Sequence, residues 1–376
     1  MVPIDEILNL IKQEKVSPQA KKRQKSVWLG KEPDYLPLLL TGGQIPEREK
    51  FPSYNLKEQF FDKEKMLYEQ CWAALSTMRA KGDSLPSVRV NFGTGFLASV
   101  FGLEQEIFED KMPWLKNHLS KEQIINLKTD DLEPISEKGL LPKCAEYIRY
   151  YQKKLKGTSV HIFLPDTQGP FDLAHLVRGD EIFTDIYDDP EFFHHLMELT
   201  TYVYVESSKY LKKIIGEQLN SGHHGNCLYM EKCGVRSCED STTLLSQKSV
   251  KELIVPYIQK ALASFENGWL HFCGKGQHLI DTFLEIPEVK GINFGNPENY
   301  NPVEILTKLE EKNKIYFGSF PMEKGEEIKD YFTRILNCLK RKGTLILAFG
   351  VPEGEDLFSV FSLWHSIQDN QGFHNP

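Results

Sequence analysis

Trp269–Gly274 (WLHFCG), Gly291–Asn296 (GINFGN), Lys314–Phe320 (KIYFGSF) and Thr344–Gly350 (TLILAFG) are short apolar runs, each ending in turn-forming residues and leading into a helical stretch. Short apolar strands alternating with helices imply a parallel sheet. Working back along the chain, the same pattern recurs at Tyr35–Thr41 (YLPLLLT), Ser87–Gly93 (SVRVNFG), Ser159–Asp166 (SVHIFLPD) and Asn226–Glu231 (NCLYME). Eight such units predict an α/β fold, a single (β/α)8 TIM barrel. One domain over 1–376 is expected, with a helical N-terminal extension over 1–33 and barrel strands beginning near 35. The basic run in that extension (Lys21, Lys22, Arg23, Lys25) reads as a solvated face.

Composition narrows the function. A net charge of −8 speaks against a nucleic-acid or anionic-membrane partner, which would want a basic surface. No run approaches the ~18 apolar residues of a membrane span, and the first residues carry no signal-peptide pattern. Seven scattered cysteines do not form a disulfide framework, so a cytoplasmic protein with reduced thiols is expected.

Helices are placed by pattern and caps. Tyr54–Lys81 is predicted helical up to Gly82. Ser249-x-x-Glu252 reads as a capping box opening Val250–Phe265, with Pro256 expected to kink it. Glu323–Lys342 aligns Ile328, Tyr331, Phe332, Ile335, Cys338 and Leu339 on one face, which makes Cys338 a core residue.

Barrel chemistry sits at the C-terminal strand ends. His271 and Cys273, two apart on a strand, point to the same side at such an end. An imidazole and a thiol side by side are zinc ligands, and zinc would turn a bound thiol into a thiolate. A His and a Cys packed into a core remain the alternative, because the pair alone does not make a four-ligand signature. Glu231, at the rim of the expected fourth strand, is a candidate third metal ligand or a salt-bridge partner. Cys233 and Cys238, spaced C-x4-C, read as structural cysteines. Asp166 is the catalytic candidate, positioned to orient a substrate, and Asn91 and Asn293 would line the pocket. His223 and His224 fall before the fourth strand and read as surface residues. Asp172 reads as a cap for the helix Leu173–Arg178.

Several stretches resemble the uroporphyrinogen decarboxylase superfamily. Arg23–Leu39 (RQKSVWLGKEPDYLPLL) is similar to its "G-x-x-P-D-x-x-P" lead into the first barrel strand. Gly169–Ala174 with Arg178-Gly179, Asp188–Glu191, and Asp240–Pro256 resemble three later segments. The arginine-rich segment of the true decarboxylases has no counterpart at Leu40–Gln44. His271-x-Cys273-Gly274 instead resembles the zinc-dependent methylcobamide:coenzyme M methyltransferase branch. That resemblance implies methyl transfer between a corrinoid carried by a partner protein and a small, thiol-type acceptor activated by zinc. The branch has a further cysteine after the eighth strand, where this chain has Val351, so either Glu231, Cys233 or Cys238 completes a metal site or the zinc chemistry has changed or been lost. Cofactor-free decarboxylation, with Arg89, Arg178 and Arg236 near the mouth, and a non-catalytic degenerate barrel are the other expectations.

Overall fold

The computed structural model describes residues 2–370. Eight parallel strands follow one another along the chain: β1 (Leu38–Thr41), β2 (Ser87–Val88), β3 (His161–Ile162), β4 (Val235–Cys238), β5 (Gly268–Phe272), β6 (Val289–Phe294), β7 (Ile315–Gly318) and β8 (Leu345–Gly350). They form two ladders. One runs β4-β5-β6-β7-β8-β1, and in the other β2 pairs with β3. No ladder joins β1 to β2 or β3 to β4 among the described residues, so the expected barrel is an α/β arrangement of parallel strands without a continuous hydrogen-bonded cylinder.

Seven of the eight expected strands fall where the apolar runs predict, and the fourth does not. Leu228–Glu231 pairs antiparallel with Ser221–His224 in a hairpin, and the fourth parallel strand is the next segment, Val235–Cys238. The apolar run NCLYME carries the stronger strand signal, yet it serves the hairpin. VRSC is too polar to stand out, because its inward face belongs to a polar layer.

Alternation along the strands separates two cores. Leu38, Leu40, Leu270, Phe272, Tyr316, Leu345 and Leu347 face outward into one continuous cluster with the surrounding helices. Leu39, Trp269, Ile315 and Ile346 face inward, with Phe317 and Ala348 packed on them. Apolar side chains on both faces are what a buried parallel sheet requires. The floor of this inner cluster comes from outside the strands. Val27 and Trp28, at the end of the helix Pro18–Trp28, join Cys227, Leu228, Met230 and Cys233 of the hairpin region. The N-terminal extension is therefore a plug against the hairpin. Arg23 ties it in through Asp34 at 3.0 Å and the fully buried Asp83 at 2.9 Å.

Three helices differ from their patterns. The stretch expected as Tyr54–Lys81 is two helices, Leu56–Phe61 and Lys63–Arg79, because Asp62 between them accepts from the N–H groups of Glu64 and Lys65 as an N-cap. Ser246, not Ser249, caps the later helix, and a π-turn over Val250–Ile254 accommodates Pro256 at the start of Val255–Ala263. Glu323–Lys342 shortens to Ile328–Asn337. The adjacent histidines expected at the surface lie inside the hairpin: His223 is buried and stacks on His161 with ring centroids 3.8 Å apart, and His224 packs edge-on against Trp269.

Trp269 spans the inner cluster and donates its indole N–H to Met230 Sδ at 2.9 Å. Replacing it with alanine opens a cavity under the whole upper layer. Trp269→Ala is expected to cost about 3–5 kcal/mol, read as a lowered urea midpoint at unchanged m-value.

Candidate metal centre

One rung above Trp269 on β5 comes His271, and Cys273 follows at the strand end. Their side chains share a face, with Cys273 Sγ 3.5 Å from His271 Nε2. The imidazole is held from behind. Asn293 on β6 donates its Nδ2 to the Phe317 carbonyl at 2.5 Å, which turns its Oδ1 toward His271 Nδ1 at 2.6 Å. Nδ1 must then carry the proton, and the lone pair of Nε2 faces the sulfur. Two glycines make room for this. A Cβ at Gly295 would lie 2.3 Å from Cys273 Sγ, and one at Gly318, whose φ is +148°, would lie 2.6 Å from Asn293 Nδ2.

The end of β4 brings two further donors. Cys238 is the ladder partner of His271, so the two lie side by side. Asp240 Oδ1 accepts the Cys273 backbone N–H at 2.7 Å and lies 4.0 Å from His271 Nε2. Ligand atoms of Cys238, Asp240 and His271 all lie within 4.8 Å of one another, the one such triad among the described residues. Asp172 pins the turn that carries Asp240. Instead of capping its helix, its carboxylate accepts the N–H groups of Asp240 and Ser241 at 2.9 and 2.8 Å. Burial, then the neighbouring Asp240, push the Asp172 carboxyl up to about 7. Glu239 between them is completely buried, and burial followed by Asp172 raises it well above the carboxylate range.

The thiols are protonated in this setting. Burial, then Asp240, lift Cys273 to about 11, and burial, then Asp172, lift Cys238 well above the ordinary value. Burial and Arg236 lower His271, which leaves a neutral imidazole. A neutral imidazole, two thiols and a carboxylate form the donor set that suits zinc, and a bound dication would favour both thiolates. His271, Cys273 and Asp240 are each partly exposed, so the cluster is open to a reactant.

Beside the cluster lies a charged layer. Arg236, two residues before Cys238, reaches Asp166 Oδ1 at 2.5 Å, and Arg89 lies 3.6 Å from Oδ2. Gln168 Nε2 donates to the same Asp166 Oδ1 at 2.6 Å. Burial pushes the Asp166 carboxyl up, but Arg236 and Arg89 outweigh it and hold the group down at about 2. Burial, then the same two arginines, drive the His224 pKa far down, so its ring is neutral.

The sequence candidates thus divide. His271 and Cys273 come together as expected, and Asn293 orients His271 rather than lining a pocket. Asp166 is a counterion bound on both oxygens. Asn91 lies at the end of β2 with its Oδ1 3.4 Å from the Gly93 N–H and its Nδ2 against Met112 Sδ. Glu231 is not with the metal candidates. It sits on the hairpin before β4, where Lys25 at 3.1 Å and the Tyr229 hydroxyl at 2.5 Å engage it. Val351 packs against the core and adds no ligand. Arg178 is turned away from the mouth to Asp185 and Glu181. Cys238, read from spacing as structural, and Asp240 are the residues that strand placement hid. The usable signal was Cys238-Glu239-Asp240 directly after VRSC.

Asp166→Asn leaves two inward arginines without their counter-charge, so a loss of about 3–5 kcal/mol is expected in denaturant unfolding. Because the folded carboxyl titrates below its unfolded value of about 3.9, its stabilisation is full above that pH and declines as pH falls toward 2. Wild-type stability should therefore fall between about pH 4 and pH 2 more steeply than that of Asp166→Asn.

No curated protein is significantly similar to the chain in sequence. In structure it is similar to a methyltransferase from Methanosarcina mazei, with a TM-score of 0.64 at 14% identity over 94% of this chain and 98% of that one. At that identity the likeness establishes the shared fold. The family described as Uroporphyrinogen decarboxylase (URO-D) matches residues 19–351. With that match spanning most of its length, the chain belongs to the uroporphyrinogen decarboxylase family.

Proposed function

We propose that this chain is a zinc-dependent methyltransferase, acting as a single-domain cytoplasmic enzyme, that moves a methyl group between a corrinoid held by a partner protein and a small thiol. The observation that carries this reading is the convergence of the ligand atoms of His271, Cys238 and Asp240 at the C-terminal strand ends, with Cys273 Sγ 3.5 Å from His271 Nε2 and Asn293 fixing the imidazole tautomer. The methyltransferase neighbour and the family match support it.

His271, Cys238 and Cys273 would hold zinc, with Cys238 in place of the donor that Val351 lacks. Zinc, when bound, supplies Lewis acidity that favours the thiolate form of an acceptor. The chain's own groups do the rest. Asn293 keeps the Nε2 lone pair directed at the site. Asp240 Oδ1, anchored by the Cys273 N–H, stands where it can accept the proton that an incoming thiol gives up. A corrinoid docked over the strand ends would supply the methyl group, and the acceptor's sulfur would take it as the cobalt–carbon pair is left to the corrinoid. Asp166, neutralised between Arg89 and Arg236, keeps the neighbouring wall charged and rigid.

The decarboxylase reading needs arginines free for acidic substrate arms. Arg236 and Arg89 both face Asp166, and Arg178 faces away, so that reading is the weaker one.

Purified protein is expected to hold one equivalent of zinc by elemental analysis. His271→Ala, Cys273→Ser and Cys238→Ser should each lose it, and Glu231→Gln should retain it. Asn293→Ala should weaken zinc binding by about 10–100-fold, as loss of an orienting partner does. Zinc-dependent conversion of methylcobalamin plus a small thiol to cob(I)alamin, followed by visible absorbance, tests the activity. Stoichiometric zinc in His271→Ala, or metal-free turnover of a porphyrinogen, would overturn the proposal.

A further inference from the structure

At the opposite end of the strands, a cleft of about 360 Å3 opens where the N-terminal plug meets the strand starts. Its volume lies in the range of small-molecule sites. Trp28, Lys232, Lys290, Arg341, Glu266 and Asn313 line it. Three cations against one carboxylate leave it net positive, on a chain whose overall charge is −8.

Two observations bear on the donors, one at Lys290 and one at Trp28. Lys290 sits at an irregularity of β6: Val289 pairs with Gly268 and Gly291 pairs with Trp269, so Lys290 is the extra residue of a bulge. A bulge re-aims the side chain it carries. Its ammonium has no hydrogen-bond or ion-pair partner among the described residues, whereas Lys232 pairs with Glu266 at 3.1 Å and Arg341 donates to Asn313 at 2.8 Å. The second observation is Trp28, only 3% exposed, whose indole N–H is buried in this region with no partner. An unmet buried donor is costly, and a bound acceptor would recover that cost. Lys314, just behind the wall, is lowered to about 8 by its burial and by Lys290 and Lys312, in keeping with a positive field.

We infer that this cleft is a second binding site, separate from the metal centre, for a small phosphate-bearing anion. Lys290 and Arg341 contact the phosphate oxygens, and Trp28 donates from the wall. A phosphate ligand fits because it presents several strong acceptors to a fork and an ammonium at once. Since Val27 and Trp28 also seal the floor beneath Trp269, occupancy would fasten the N-terminal plug to the strand starts.

Calorimetric titration of the full chain with inorganic pyrophosphate, and separately with AMP, at constant ionic strength tests this. Saturable one-to-one binding of either is expected, with a rise in melting temperature. Tighter pyrophosphate marks a free phosphate ligand and tighter AMP a nucleotide. Lys290→Gln and Arg341→Gln should each weaken binding at least tenfold while leaving zinc content and circular dichroism unchanged. Trp28→Phe, which keeps an aromatic ring at the wall and removes the N–H, should weaken it several-fold. Binding no stronger than that of chloride or sulfate, or unchanged in Lys290→Gln, would overturn the inference.

Discussion

Two-residue alternation along β5 is the constraint on which the rest of this molecule depends. Trp269, His271 and Cys273 must all point inward if any one of them does. The strand therefore has to serve an apolar floor and a polar ceiling at once, and the boundary passes between residues 269 and 271. Below it, Trp269 meets Leu39, Ile315 and Ile346 across a dry layer. Above it, neighbouring strands contribute Cys238 and Asn293 beside His271, while Arg236, the ladder partner of Trp269, turns to Asp166. Register carries the division from strand to strand, since Cys238 and Asn293 are both ladder partners of His271.

The polar ceiling survives because nearly every group in it is committed. Asn293 spends its amide on Phe317 and its oxygen on His271. Asp172 spends both oxygens on the turn that presents Asp240. Asp166 is shared by two arginines and Gln168. These commitments hold the His271 nitrogen, two sulfurs and one carboxylate in place without their having been neutralised by one another. A site built this way is preorganised: the orienting partners are satisfied, and they hold the facing atoms of His271, Cys273 and Asp240 beside one another.

The family likeness gains precision from this geometry. The methyltransferase branch that the sequence resembles draws a cysteine from beyond the last strand, and Val351 stands there with its side chain in the core. In this chain the end of β4, on the other side of His271, brings Cys238 and Asp240 beside it. The plug at the far end follows the same economy, since the helix that seals the floor also walls a cationic cleft.

The sequence by itself determined seven of the eight parallel strands, the inward pairing of His271 with Cys273, and the absence of a ligand at Val351. These are local facts, carried by strand periodicity and residue chemistry. Tertiary structure decided the fourth strand, and with it the fate of Glu231, Cys238 and Asp240. The apolar run at 226–231 looks like a strand of the main sheet because burial selects for apolarity, and the hairpin that plugs the floor is just as buried. Val235–Cys238 looks unremarkable because its inward residues serve the polar layer. Only the register between β4 and β5 reveals that Cys238 stands beside His271, and no spacing along the chain encodes which strand lies next to which.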